Sequence, residues 1–166
     1  MGDSFDRTWG KEMQARPDYG KAAPGSVQAM YKLHEFSEGS GLERSLLELV
    51  RARVSQINGC AFCIDAHTKD TRAAGETEQR LYGLSAWRES PYYSERERAA
   101  LAWAEAVTNI PQIDESDEEY EAARAQFSAE ELIKLTVVVI AANGWNRLAV
   151  AVAETVGTYK ASAMAT

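Results

Sequence analysis

LERSLLELVRARVSQINGCAFCIDAHTKDTRAAG, residues 42–75, is the stretch that decides the fold. Its first half carries apolar residues at three- and four-residue spacing, which predicts an amphipathic helix over residues 42–57. The apolar positions are Leu42, Leu46, Leu49, Val50, Val54 and Ile57. Asn58-Gly59 is a turn signal, and residues 60–74 predict a second helix that ends at Gly75. The stretch therefore predicts two helices that fold back on each other as a hairpin.

Helix signals continue on both sides of the hairpin. Pro24 starts a predicted helix that ends near Gly39, and another runs from about residue 77 to residue 87. Three Ser-x-x-Glu capping boxes predict three more helix starts, at Ser94 and Glu97, at Ser116 and Glu119, and at Ser128 and Glu131. The last box opens a long apolar stretch through Val156, which is either one central helix or two helices broken near Asn143-Gly144. No segment shows convincing period-two alternation, so we predict an all-α bundle of roughly six to eight helices.

Length and composition indicate one globular domain. The chain has 166 residues, of which 45% are apolar and 26% are charged, and its formal net charge is −7. This composition excludes collagen-like and largely disordered proteins, and the negative charge disfavours nucleic acid or an anionic membrane as the main partner. We predict an N-terminal arm over residues 1–23 and a single helical domain over residues 24–166.

The N-terminus and the apolar runs favour a cytoplasmic protein. Residues 1–5 show no basic region followed by an apolar run, so a secretory signal is not expected. The longest apolar run, residues 135–142, is interrupted only by Thr136 and is far shorter than the roughly 20 residues that span a bilayer. No membrane partner is therefore predicted.

The two cysteines, Cys60 and Cys63, form a C-x-x-C pair at the start of the second hairpin helix. With His67 they occupy positions i, i+3 and i+7, so a helix places all three on one face. The unpaired N–H groups of a first helical turn favour an anion and lower the pKa of a thiol there. On a helix, residues three apart have Cβ atoms about 5–6 Å apart. A disulfide needs a Cβ–Cβ distance of roughly 3.5–4.5 Å, so a small movement of the two cysteines toward each other would allow the bond to form. The pair is therefore a candidate redox dithiol, with His67 close to Cys63.

Glu48 is the candidate partner of His67. If the two helices fold back about residue 59, position 48 lies opposite position 70, one turn from His67. Glu48 would then contact the imidazole, fix its tautomer and raise its basicity. Asp70, three residues after His67, is the competing partner. Without the hairpin geometry, Glu48 would be interpreted as a solvated surface charge.

Other interpretations of these residues stay open. The cysteines could be inert core filler, although two cysteines with a histidine at this spacing argue against it. They could also make a Cys2His2 metal site with His67 and His34, if His34 converges on the others.

A polar cluster, Asn143, Asn146 and Arg147, interrupts the last apolar stretch. Buried polar groups need hydrogen-bond partners, and these come from the same chain, from a pocket rim or from a second subunit. The cluster lacks obvious partners nearby in the sequence, and the thiol-bearing hairpin leaves one side of the site open. We therefore expect a homo-oligomer as the working form.

The stretch from Glu48 to Cys60, followed by Phe62, Cys63 and His67, resembles the AhpD-like alkylhydroperoxidase core of the carboxymuconolactone decarboxylase family. Residues 72–76 and 145–147 also fit that family, and the resemblance covers roughly residues 25–155. The E-x11-C-x-x-C-x3-H pattern is specific, whereas a bare C-x-x-C is not. The resemblance implies an all-α fold that assembles into trimers or hexamers and carries a thiol-dependent peroxidase site.

By position, the resemblance implies a role for each candidate catalytic residue. Cys63 corresponds to the cysteine that is oxidised to sulfenic acid, and Cys60 to the partner thiol that donates a proton and closes the disulfide. His67 and Glu48 correspond to the proton relay. The best-known members carry a histidine between the two cysteines, whereas this chain has Phe62, whose apolar ring cannot shuttle protons.

These implications define the expected function. The chain is expected to be an antioxidant, thiol-dependent alkyl hydroperoxide reductase whose partners are a hydroperoxide and a thiol or dithiol reductant. No cofactor and no metal ion is predicted. The alternatives are a redox-sensing or structural oligomer without sustained turnover, and a carboxymuconolactone decarboxylase-like enzyme, although the decarboxylase branch generally lacks the cysteine pair.

Overall fold

A computed structural model describes residues 16–110 and 117–161 of the chain. The described residues form eight α-helices and one 3-10 helix at Leu84–Ala86, and they contain no strand, which confirms the all-α prediction. The α-helices are α1 Tyr19–Ala22, α2 Pro24–Glu38, α3 Arg44–Asn58, α4 Ala61–Ala73, α5 Glu78–Gly83, α6 Glu95–Thr108, α7 Glu118–Gln126 and α8 Ala129–Val152.

The predicted hairpin is formed by α3 and α4. Gly59 follows α3 with a positive φ of 64°, a left-handed conformation that favours glycine and lets the chain reverse within the two residues between the helices. Helix α3 begins at Arg44 and not at residue 42, and the prediction that Cys60 lies inside the first turn of the second helix is wrong. Cys60 is the N-cap of α4, because its backbone is extended and its sulfur accepts the Cys63 N–H.

Two of the three predicted capping boxes are complete. Ser94 caps α6 and Ser128 caps α8, and in each case the glutamate three residues later bonds back to the N-cap N–H. Ser116 lies outside the described residues, and α7 has Asp117 as its N-cap. These reciprocal bonds explain why α6 and α8 begin where the sequence predicts.

Helix α8 is continuous, which settles the choice between one helix and two. The Asn143-Gly144 pair does not break it. Glycine at position 144 lets α2 pack closely against α8, since a Cβ there would lie 2.7 Å from Met30 Cε. The helix ends at Val152, before the predicted Val156, and Ala153 takes a left-handed φ of 57°. By length and composition α8 could cross a membrane. In the structure it packs on α2, α3 and α6.

Helix α3 is the centre of the bundle and positions the site. Its apolar face forms the main core with α6, α7 and α8, and a second cluster joins it to the 3-10 helix and α6. A third, small cluster places Cys60 and Cys63 against Ala149 of α8, with Phe62 packed beside them. The C-x-x-C segment is therefore held between the α3–α4 turn and the C-terminal half of α8.

The segment before α2 is attached to the end of α8. Arg16 donates hydrogen bonds to the carbonyl oxygens of Val150 and Ala151, at 3.0 and 2.6 Å. Residues 1–15 of the predicted arm lie outside the described residues, so the division into an arm and a domain stays a prediction.

Candidate active site

Cys60 and Cys63 are joined by a disulfide, with their Cα atoms 5.3 Å apart. The sulfur of Cys60 also accepts the Cys63 backbone N–H at 3.3 Å. Both cysteines are buried, with 1% and 5% of their surface exposed, and Cys63 lines a cavity of about 490 Å³. The two cysteines thus form an intrachain disulfide. Cys63, one of the two, faces a cavity large enough for a small-molecule ligand.

Glu48 lies beside His67, as the hairpin geometry predicts. Glu48 Oε2 is 3.2 Å from His67 Nδ1, across the α3–α4 interface. The competing partner, Asp70, instead accepts a hydrogen bond from Tyr159 Oη at 2.6 Å. A carboxylate at Nδ1 favours the tautomer with the proton on that nitrogen, so the Nε2 of a neutral His67 can accept a proton.

Glu48 is a buried carboxylate and not a solvated surface charge, since only 5% of the residue is exposed. Burial alone would raise its pKa, but the hydrogen bond with His67 and the charge of Arg51 outweigh burial and lower the pKa of Glu48 below its usual value. Arg51 Nη1 donates to Glu48 Oε1 at 2.7 Å, and Arg51 Nη2 lies 2.5 Å from Glu38 Oε1. Glu48 is therefore ionised at neutral pH and holds His67 from a fixed position.

His34 lines the same cavity, but it cannot complete the Cys2His2 site that the sequence left open while the two cysteines form a disulfide. The cysteine sulfurs are bonded to each other, so neither is a thiolate available to a metal ion. Burial, followed by the charge of Arg51, lowers the pKa of His34, which keeps its ring neutral at pH 7.

Within the described ranges 16–110 and 117–161, one other group of side chains has the spacing of a metal site. Ligand atoms of Glu48, His67 and Asp70 all lie within 4.8 Å of one another. Glu48 already binds the Arg51 guanidinium, and this fixed positive charge next to the group opposes a divalent cation. The arrangement suits movement of protons between neighbouring acids and bases better than metal binding.

Beside six charged residues, five aromatic side chains line the cavity. They are Tyr19, Tyr31, Phe62, Trp145 and Tyr159. Tyr31 and Trp145 pack edge to face with ring centroids 5.3 Å apart, and Arg44 adds a cation to the lining. Sequence reasoning did not identify Arg51 or Tyr159 as site residues. Tyr159 carries no spacing signal, because it reaches Asp70 from 89 residues away. Arg51 does carry one, since it stands three residues after Glu48 on the same helix and forms an ion pair with it.

The polar cluster of α8 finds its partners within the chain. Asn58 Nδ2 donates to the side-chain oxygens of Asn143 and Asn146, both at 2.9 Å, and Asn146 Nδ2 donates to Ser55 Oγ at 3.1 Å. Arg147 donates to the Asn143 side chain at 2.6 Å. The argument that this cluster needs a second subunit is therefore wrong, and the homo-oligomer stays a prediction.

This amide network fixes the end of α3 immediately before the C-x-x-C segment. Replacing Asn146 by alanine leaves Asn58 Nδ2 and Ser55 Oγ each short of a buried partner, so we expect a loss of about 1–3 kcal/mol in the free energy of unfolding. Urea denaturation measures this loss. The matched control is Gln28→Ala on the exposed side of α2, where we expect a change within about 0.5 kcal/mol. Equal stability of the Asn146 variant and the wild type would contradict a stabilising role for the network.

Comparison with known proteins gives the family of this chain. The model of the carboxymuconolactone decarboxylase family matches residues 25–106. The uncharacterized protein YdfG of Bacillus subtilis is 42% identical over 139 residues, which are 84% of this chain and 95% of YdfG. A shorter match to alkyl hydroperoxide reductase AhpD of Bradyrhizobium diazoefficiens is 46% identical over 41 residues, or 25% of this chain and 22% of AhpD.

A solved structure extends the match to most of the fold. A protein of unknown function from Agrobacterium tumefaciens, suggested to be the antioxidant defence protein AhpD, superposes with a TM-score of 0.83 at 43% identity. The match covers 88% of this chain and all of that one. The chain belongs to the carboxymuconolactone decarboxylase family and has the AhpD-like helical fold.

Proposed function

We propose that this protein is a thiol-dependent peroxidase that reduces organic hydroperoxides. The observation that carries the proposal is the Cys60–Cys63 bridge, in which Cys63 lines the same cavity as the Glu48–His67 pair. A dithiol that closes within one chain, next to a proton acceptor, has the parts needed for reduction of a peroxide and recovery of the thiol.

The reaction begins with the reduced pair. His67, oriented by Glu48, takes the proton of the Cys63 thiol, and the thiolate attacks the terminal oxygen of the hydroperoxide. A sulfur–oxygen bond forms as the peroxide bond breaks, which leaves Cys63 sulfenic acid and an alkoxide that takes up a proton. Cys60 then attacks the Cys63 sulfur and releases water, giving the disulfide. A thiol or dithiol reductant restores both thiols by exchange.

The cavity supports an organic peroxide as substrate. Its volume of about 490 Å³ is far larger than hydrogen peroxide requires, and its aromatic rings provide an apolar wall for a hydrocarbon group. The cysteine pair favours thiol chemistry over decarboxylation for this member of the family. The same proposal includes a thiol or dithiol as the reductant. It also places the protein in the cytoplasm, assembled as a trimer or a hexamer.

Turnover separates the peroxidase from a redox sensor. We expect reduced wild-type protein to consume many equivalents of tert-butyl hydroperoxide while dithiothreitol is present, because the disulfide is re-reduced after each cycle. Peroxide remaining in solution is measured against a reaction that lacks protein. The matched control is protein alkylated at both thiols with iodoacetamide. Consumption that stops at one equivalent per chain would instead identify a sensor, and no consumption would reject thiol-dependent peroxidase chemistry.

A further inference from the structure

The segment that follows α8 returns to the active site and places Tyr159 in its wall. The Tyr159 ring packs edge to face on Phe62, with ring centroids 6.5 Å apart, and Lys69 Nζ donates to the Tyr159 carbonyl oxygen at 3.0 Å. Tyr159 and Cys63 line the same cavity. A phenol is therefore held against Phe62, one of the two residues between the cysteines, in the wall of the cavity that a substrate would occupy.

The phenol also belongs to a series of neighbouring proton donors and acceptors. Tyr159 Oη donates to Asp70 Oδ2 at 2.6 Å. Asp70 has an oxygen within 4.8 Å of ligand atoms of both His67 and Glu48, and Glu48 bonds to His67 Nδ1. The Glu48–His67 pair, Asp70 and the Tyr159 hydroxyl are thus neighbours in one network that ends in the cavity.

The proposed reaction needs two separate proton transfers. His67 takes a proton from the Cys63 thiol, and the alkoxide formed from the hydroperoxide must receive one. Phe62, between the cysteines, has no proton to give. We propose that Tyr159 is a further catalytic residue, the general acid that protonates the departing alkoxide; the inference rests on the proposed peroxidase function.

The step balances without any additional reactant. Cys63 thiolate attacks the terminal peroxide oxygen, the sulfur–oxygen bond forms, and the oxygen–oxygen bond breaks. The Tyr159 Oη–H proton passes to the alkoxide, giving an alcohol. The proton that His67 took from the thiol then returns to the phenolate through Asp70. The net change is one thiol and one hydroperoxide converted to one sulfenic acid and one alcohol.

Leaving groups of different basicity test this role. tert-Butyl hydroperoxide releases a strongly basic alkoxide that needs a proton, whereas peroxyacetic acid releases acetate, which leaves without one. For Tyr159→Phe we expect the rate of Cys63 oxidation to fall about 10²-fold with tert-butyl hydroperoxide and to stay within about threefold with peroxyacetic acid. Stopped-flow measurement of the reduced, full-length protein under single-turnover conditions gives both rates. The phenylalanine keeps the ring contact with Phe62.

The matched control is Tyr82→Phe, which removes a phenol that also donates to a carboxylate, Glu78, but is 71% exposed on α5. We expect it to leave both rates unchanged. Equal losses with the two peroxides in the Tyr159 variant would assign the residue to packing, and no loss with either would remove it from the reaction; both results overturn the inference. A wild-type protein inert to both peroxides would reject the proposed function itself, and the inference with it.

Discussion

Cys63→Ser is expected to abolish peroxide turnover, with a fall of at least about 10³-fold to the rate of the uncatalysed reaction. The thiolate of Cys63 is the proposed nucleophile, and a serine hydroxyl at the same place stays protonated at neutral pH and is a far weaker nucleophile. The measurement is steady-state consumption of tert-butyl hydroperoxide with dithiothreitol. Circular dichroism of the variant checks that the helical fold is kept.

Cys60→Ser is the companion variant, and it separates the two cysteines by role. Without the second thiol, Cys63 sulfenic acid cannot close the disulfide, so we expect the first oxidation to proceed and a sulfenic-acid probe to label Cys63. The same probe should not label the Cys63 variant. If Cys63→Ser retained sustained turnover and Cys60→Ser did not, the proposed roles of the two cysteines would have to be exchanged.

Glu48→Gln is expected to slow formation of the Cys63 thiolate and peroxide reduction by about 10²- to 10³-fold. Glutamine has no charge to stabilise the imidazolium that forms when His67 takes the proton of the Cys63 thiol. The rate of alkylation of reduced Cys63 by iodoacetamide, followed from about pH 6 to 9, measures thiolate formation directly. Glu35→Gln, an exposed change on α2, is the matched control and should leave the profile unchanged. An unaltered profile in the Glu48 variant would exclude Glu48 from the relay.

The stability of the Glu48→Gln variant as a function of pH shows whether the substitution acts through loss of charge or through loss of packing. The pKa of Glu48 is lower in the folded protein than its usual value of about 4.5, so ionised Glu48 stabilises the fold above that pH. This contribution is lost as the pH falls through the lowered pKa and the carboxylate takes up a proton. The difference in unfolding free energy between wild type and Glu48→Gln should therefore shrink below about pH 4.5. A difference that is independent of pH would indicate a packing defect.

Local signals predicted the parts of the fold that depend on neighbouring residues. The three- and four-residue spacing identified α3, Gly59 marked the reversal, and Ser94 and Ser128 marked the starts of α6 and α8. The contact between Glu48 and His67 followed from these, because a tight reversal of two helices fixes which residues lie opposite each other. The end of α8 had no such signal, since the apolar residues continue past the helix terminus.

Contacts between distant segments could not be predicted in this way. Helical periodicity predicts which face of α8 is apolar, but it does not predict that Asn146 lies opposite Ser55 and Asn58. Tyr159 follows α8 in a segment without regular structure, and its place beside Asp70 depends on the path of that segment. The burial of Arg51 likewise depends on α2 bringing Glu38 to it.

The capping role of Cys60 has a consequence for how this scaffold can evolve. The sulfur satisfies a backbone N–H at the start of α4, a task that serine, threonine, asparagine or aspartate performs at least as well. A lineage in which position 60 mutates to serine would lose the dithiol in one step and keep the helix. The cavity, with Cys63, its histidine and its buried carboxylate, would remain and be open to selection for a reaction that needs no disulfide.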